Sequence, residues 1–198
     1  MADPKKSPKT TSAPEAKGGS AVNKVRIATA WFDACAGCHM SVLDIDERIL
    51  AIVDKIDIVY GPLVDAHEFP ENVDVAIIEG AISTDEDEHK IKEIRSKSKF
   101  LIALGDCAVT ANVPGMRNQF TVKEILDRGY IENATAQQQH PYKDIPKLLT
   151  RARPLHEFVS VDLFVPGCPP PADGIFFVLA ELLAGRIPDL TGKSRFGL

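Results

Sequence analysis

The chain has 198 residues, 44% hydrophobic and 26% charged, with a formal net charge of −5 and a pI near 5.5. That length suits one well-buried domain rather than two large ones, and the ordinary composition argues against general disorder. The acidic balance gives no support for nucleic-acid binding, which takes a clustered basic face, and no apolar run approaches the roughly 20 residues of a membrane span.

Residues 1 to about 22 are rich in Lys, Pro, Ser, Ala and Gly, lack the apolar content to pack, and read as a flexible extension to a domain over 23–198. Neither an apolar h-region nor an adjacent arginine pair is seen there, so a cytoplasmic, reducing location is expected. Val25 to Trp31 has the short, partly β-branched character of a buried strand, and Val42, Ile45, Ile49, Leu50 and Val53 recur at helical spacing. The stretch Trp31-Phe32-Asp33-Ala34-Cys35-Ala36-Gly37-Cys38-His39-Met40 joins the two. A strand-to-helix turn of this kind presents free N–H groups and a positive dipole end, which favour thiolate and an anionic cluster. Gly37 reads as the residue that lets the backbone pass close to whatever the sulfurs hold, through its small size and access to positive φ.

Lys55 to Tyr60 is a second strand closed by Gly61-Pro62, and 63–72 a loop. Val73 to Gly80 is a third strand, ending in Glu79 and a glycine. Ser83-x-x-Glu86 predicts a capping box before a helix that acids open and bases close, as the macrodipole favours. Its run His89 to Lys97 is therefore a solvated face, not a nucleic-acid patch. Phe100 to Gly105 is the fourth strand, followed by Asp106-Cys107. From Ala108 to Phe158 the pattern weakens, with one short helix around Thr121 to Arg128 and a polar stretch from Gln137 to His140. A connection that long is expected to be functional or partner-facing. Val159 to Val165 is the fifth strand, followed by Pro166-Gly167-Cys168-Pro169-Pro170-Pro171, where Gly167 permits a close approach and the prolines stiffen the loop. The last helix, about Asp173 to Ala184 with Gly185 as its C-cap, is apolar over most of its surface and is expected to be buried or to lie under a partner.

Strands alternating with helices imply a doubly wound parallel sheet, in which ligands bind beyond the carboxyl ends of the strands. Cys35, Cys38, Cys107 and Cys168 all land on that rim, with Glu79. Inert core thiols, disulfides, zinc and iron–sulfur are the candidates. Disulfides are uncommon in a reducing compartment. Zinc sites normally draw two close pairs of ligands, and a redox Cys-x-x-Cys pair leaves Cys107 and Cys168 unexplained. One pair plus two single cysteines suits a bulkier cubane, whose corners need ligands from several directions. Gly192-Lys193-Ser194 mimics the end of a phosphate loop, but position 187 is Ile187 rather than glycine, so the motif is rejected. No Gly-x-Gly-x-x-Gly occurs, so NAD is expected to bind elsewhere.

Cys35-Ala36-Gly37-Cys38, Glu79-Gly80, Gly105-Asp106-Cys107-Ala108 and Pro166-Gly167-Cys168-Pro169-Pro170 together resemble the proximal-cluster framework of the small subunits of [NiFe] hydrogenases, in order from about Val25 to Leu183. The chain is most similar to the short cytoplasmic form in soluble, bidirectional, NAD(P)-linked enzymes. The resemblance implies a flavodoxin-like fold and one [4Fe–4S] cluster on the four cysteines. It also implies a catalytic large subunit holding the Ni–Fe centre, and diaphorase subunits bearing iron–sulfur clusters, FMN and NAD(P). No catalytic residue is expected on this chain. Glu79 is implied as a proton relay or a cluster neighbour, and Asp106 as orienting donors around Cys107. His39 reads as a solvent-facing residue at a helix start. The quinone-site subunit of respiratory complex I is similar in part, but has adjacent cysteines where this chain has Ala36-Gly37 between Cys35 and Cys38. Two other readings stay open: a zinc-stabilised interaction domain, and a flavin carried on this chain.

Overall fold

The computed structural model describes residues 24–193, so the expected extension over residues 1 to 22 lies outside the described residues. Five parallel strands form the central sheet: β1 (Val25–Trp31), β2 (Ile56–Tyr60), β3 (Val73–Glu79), β5 (Ser98–Leu104) and β7 (Leu163–Val165), in the order β2-β1-β3-β5-β7. The parallel sheet is the doubly wound one expected from the alternation of elements, and its order is the flavodoxin-like one that the resemblance implies. The middle strands are apolar on both sides because both faces are covered. On one face Ile27, Val75, Ile77, Ile102 and Leu104 pack against Ile175, Val178 and Leu179 of α6 (Ala172–Leu183). On the other, Ala28, Ala76, Ile78, Leu101 and Ala103 pack against Ile91 and Ile94 of α2 (Asp85–Lys97).

Several expected elements differ. The helix read from Val42 to Val53 is a short α1 (Gly37–Leu43) followed by a 3-10 turn over Asp46–Ala51, and the break carries Asp46 at φ 57°. Of the residues at that spacing Ile45 is buried, whereas Leu50 and Val53 are exposed, so they do not form the face of one continuous helix. The capping box sits one residue later than read: Thr84 Oγ1 accepts the Asp87 N–H at 3.1 Å, and Asp87 accepts the Thr84 N–H at 2.9 Å. Ser83 is still extended there, in β4 (Ile82–Thr84), which pairs antiparallel with β6 (Leu148–Arg153).

That two-stranded sheet gives form to the weakly patterned stretch, together with α3 (Asp106–Thr110), α4 (Asn112–Gly115) and α5 (Val122–Asp127), the last near the helix read around Thr121. The Asn118 carboxamide clasps Ala152, giving to its carbonyl and accepting its N–H, both at 2.8 Å, as a strand neighbour would. The fifth strand starts at Leu163 rather than Val159, because the Asp162 carboxylate takes the Leu101 N–H at 2.7 Å and so ends the ladder. Gly185 does close α6, at φ 73°. The apolar surface of α6 is spent on the chain's own core, whereas Trp31, Met40, Leu43, Leu50 and Leu63 are exposed. One exposed apolar patch thus lies around α1 and the β2 edge rather than on the last helix.

Candidate metal-cluster site

All four cysteines stand at the carboxyl end of the sheet, with Cys38 and Cys107 buried, Cys35 and Cys168 exposed, and none in a disulfide. The fold brings them there by three turns. Ala36, at φ 61°, reverses the backbone between Cys35 and α1, so the left-handed residue is Ala36 and not Gly37. Gly37 has room for a Cβ except for the Cys35 Sγ at 3.2 Å.

Gly105 approaches a cysteine sulfur more closely than Gly37 does. A Cβ there would lie 2.2 Å from Cys38 Sγ, and its φ of 84° suits glycine. Gly105 starts the Cys107 turn. Asp106 then ties this turn to the Cys168 loop: its N–H donates to the Gly167 carbonyl at 2.9 Å and its Oδ1 accepts the Gly167 N–H at 2.7 Å. Asp106 thus grips the loop of Cys168 rather than the donors around its neighbour Cys107. The backbone at Gly167 has no room for a side chain, since a Cβ would meet Pro170 Cα at 2.6 Å. Ser41 Oγ donates to the Pro170 carbonyl at 2.5 Å, so α1 fixes the far end of the same loop.

Glu79 ends β3 on the face of Val75 and Ile77 and is wholly buried. Its Oε2 accepts two bonds from His39, from the backbone N–H at 2.8 Å and from Nδ1 at 2.6 Å. His39 is therefore not a solvent residue; its side chain is 14% exposed. Sequence reasoning missed this pair because a contact across 40 positions has no local signal.

The electrostatics follow from burial. Cys38 is pushed up to about 12, first by desolvation and then by Glu79 and the other three cysteines. Burial also raises Cys107, opposed by a hydrogen bond from the Val113 backbone. The shifts at Cys38 and Cys107 mark a site where a bound cation would favour the thiolates that burial and the neighbouring cysteines oppose. The residues fit a cluster on three counts: a four-thiol donor set, a glycine cradle against Cys38, and a backbone N–H aimed at Cys107 sulfur. Among the described residues no group of three His, Cys, Asp or Glu side chains is spaced to hold a single metal ion.

The family model described as NADH ubiquinone oxidoreductase, 20 Kd subunit, matches residues 35–182, a span that encloses every cysteine. The chain is 39% identical over 174 residues to the NAD-reducing hydrogenase HoxS subunit delta of Cupriavidus necator, covering 84% of this chain and 82% of that one. It is 37% identical to a subunit of the F420-non-reducing hydrogenase of Methanocaldococcus jannaschii, covering 85% of this chain but 59% of that longer protein. Among solved structures, a chain of an NAD+-reducing [NiFe]-hydrogenase in the H2-reduced state superposes with a TM-score of 0.85 at 36% identity, over 88% of this chain and all of that one. The Dm. baculatum [NiFeSe]-hydrogenase, at 19% identity and a TM-score of 0.54, shares the fold over 83% of this chain and 62% of its own.

Proposed function

Because the chain belongs to the family of the NADH ubiquinone oxidoreductase 20 Kd subunit, and within it sits among hydrogenase subunits, we propose that it is the electron-transfer small subunit of an NAD(P)-linked [NiFe] hydrogenase. It holds one [4Fe–4S] cluster on Cys35, Cys38, Cys107 and Cys168. The observation that carries this reading is the meeting of all four cysteines at one rim, from three separate turns. When bound, the cluster supplies one-electron transfer. The chain's own residues do the rest. Gly105 leaves room beside Cys38, Asp106 and Ser41 hold the Cys168 loop in register, and the Val113 N–H tunes the sulfur of Cys107.

In this reading a large subunit bears the Ni–Fe centre and splits hydrogen, and electrons leave toward subunits that bear flavin and further clusters and reduce NAD(P) in the cytoplasm. The exposed Trp31, Met40, Leu43 and Leu63 beside the Cys35–Cys38 turn are the apolar surface that a permanent partner would cover. Among the described residues no helix is long and apolar enough to cross a membrane. The test is anaerobic purification of the complex. A brown protein with about four irons per small subunit and a paramagnetic reduced state is expected. A colourless, zinc-loaded chain would overturn the assignment.

A further inference from the structure

The ligand set leaves one buried hydrogen-bonded pair unused, Glu79 and His39. Ala36, the N-cap of α1, has no side chain able to accept a helix-start N–H, and Glu79 fills that role from across the sheet by taking the N–H of His39. The ring of the same residue donates to the same oxygen at 2.6 Å. Trp31 backs the ring edge-on, with centroids 5.2 Å apart. Two donors from one residue onto one oxygen leave the carboxylate a single orientation. Among the described residues, Glu79 Oε1 and His39 Nε2 have no other partner. The imidazole's hydrogen bonding is thus committed to Glu79.

We propose that His39 is a positioning residue that clamps the Glu79 carboxylate against the Cys38 turn, and that the clamped carboxylate sets the reduction potential of the cluster. The inference rests on the cluster reading above. Its physical content is Coulombic. In a buried site with low effective dielectric, a fixed negative charge opposes the arrival of an electron and holds the potential down. Glu79 is the leading charge acting on Cys38, ahead of the three other cysteines. Without the ring donor the carboxylate keeps only the His39 N–H bond and can rotate about it, so its charge is no longer fixed in one place and the cluster loses part of that opposition.

The test is a redox titration of the assembled complex, followed by the paramagnetic signal of the reduced state, with iron assayed on every preparation. Glu79→Gln is expected to move the midpoint positive. His39→Gln, whose amide cannot reach the Nδ1 position, should move it the same way. His39→Asn, whose amide can reach it, should restore the wild-type value, and His39→Gln added to Glu79→Gln should shift it no further. A wild-type midpoint in His39→Gln, equal shifts in His39→Gln and His39→Asn, or additive shifts in the double variant would each overturn the clamp. If His39→Gln fails to retain iron, His39→Asn against Glu79→Gln decides: the former unshifted and the latter positive supports the clamp, and any other order removes it. Wild-type protein without iron would sink the cluster reading itself, a different failure.

Discussion

Replacing Gly105 with Ala puts a carbon where the structure has least space for one. The new Cβ would sit 2.2 Å from Cys38 Sγ and 3.4 Å from the Gly167 carbonyl oxygen. Non-bonded heavy atoms rest near 3.5–4.0 Å, so something must yield by on the order of 1 Å. Neither neighbour yields easily: Cys38 is packed in the core beside Ile77 and Leu104, and Gly167 is held by Asp106 at 2.7 Å. The backbone there, at φ 84° and ψ 161°, lies in a region essentially restricted to glycine and adds roughly 1–3 kcal/mol, and overpacking typically adds about 1–3 kcal/mol. The sum, about 2–6 kcal/mol, corresponds to a melting shift of roughly 4–24 °C for a chain of this size. Gly37→Ala is the control. Its Cβ meets the Cys35 sulfur at 3.2 Å, against 2.2 Å for the Cys38 sulfur at Gly105, and alanine favours the helix by up to about 1 kcal/mol. Iron per chain and calorimetric melting of the purified complex are the assays. Gly105→Ala should lose both iron and stability while Gly37→Ala keeps them; full iron and wild-type melting in Gly105→Ala would refute the cradle.

The other predictions are more direct. Cys107→Ser and Cys168→Ser should each lose or degrade the cubane; normal iron content and spectra in either would remove that residue from the ligand set. In those variants, electron flow from hydrogen to NAD(P) should fall more than hydrogen–deuterium exchange, which needs the partner's centre alone; equal losses would count against this chain as the electron path. In the metal-free chain, Cys38 carries its proton until about pH 12, so alkylation mapped by mass spectrometry at neutral pH should mark the exposed Cys35 and Cys168 and spare it. The sign for stability follows: a thiol held above its ordinary value near 9 stabilises the metal-free fold below that pH, and this contribution is lost as pH rises toward 12. A metal-free chain whose melting is flat over that window would contradict the burial assigned to Cys38. Asp162→Ala leaves the Leu101 N–H and Arg95 without the carboxylate they share at 2.7 and 2.6 Å, and should destabilise by about 1–3 kcal/mol, read as a drop in denaturation midpoint.

The sheet and its cysteine-bearing rim are legible in the order of amino acids alone. Strands such as Val73–Glu79 and Ser98–Leu104 are buried on both faces, so their apolar character is a local property, written as an unbroken run. The doubly wound order then sends every strand-end cysteine to the same side. The contacts that cross the chain come from packing instead. Of the periodic residues from Val42 to Val53, Val42, Ile45 and Ile49 join the core shared with α6 while Leu50 and Val53 are exposed, and the helix is broken between them, because periodicity does not report where the backbone breaks. β4 is three residues long and gains its partner, β6, from more than 60 positions away; a segment so short has no pattern of its own. The closest approach to sulfur falls at Gly105, on a different turn from the Cys-x-x-Cys motif, and His39 is buried because a carboxylate 40 residues on caps its helix. Spacing along the chain singles out the four cysteines, but which glycine packs against their sulfurs and which carboxylate lies beside them depend on how separate turns pack at one rim. That is set by three-dimensional proximity, which no local window of sequence encodes.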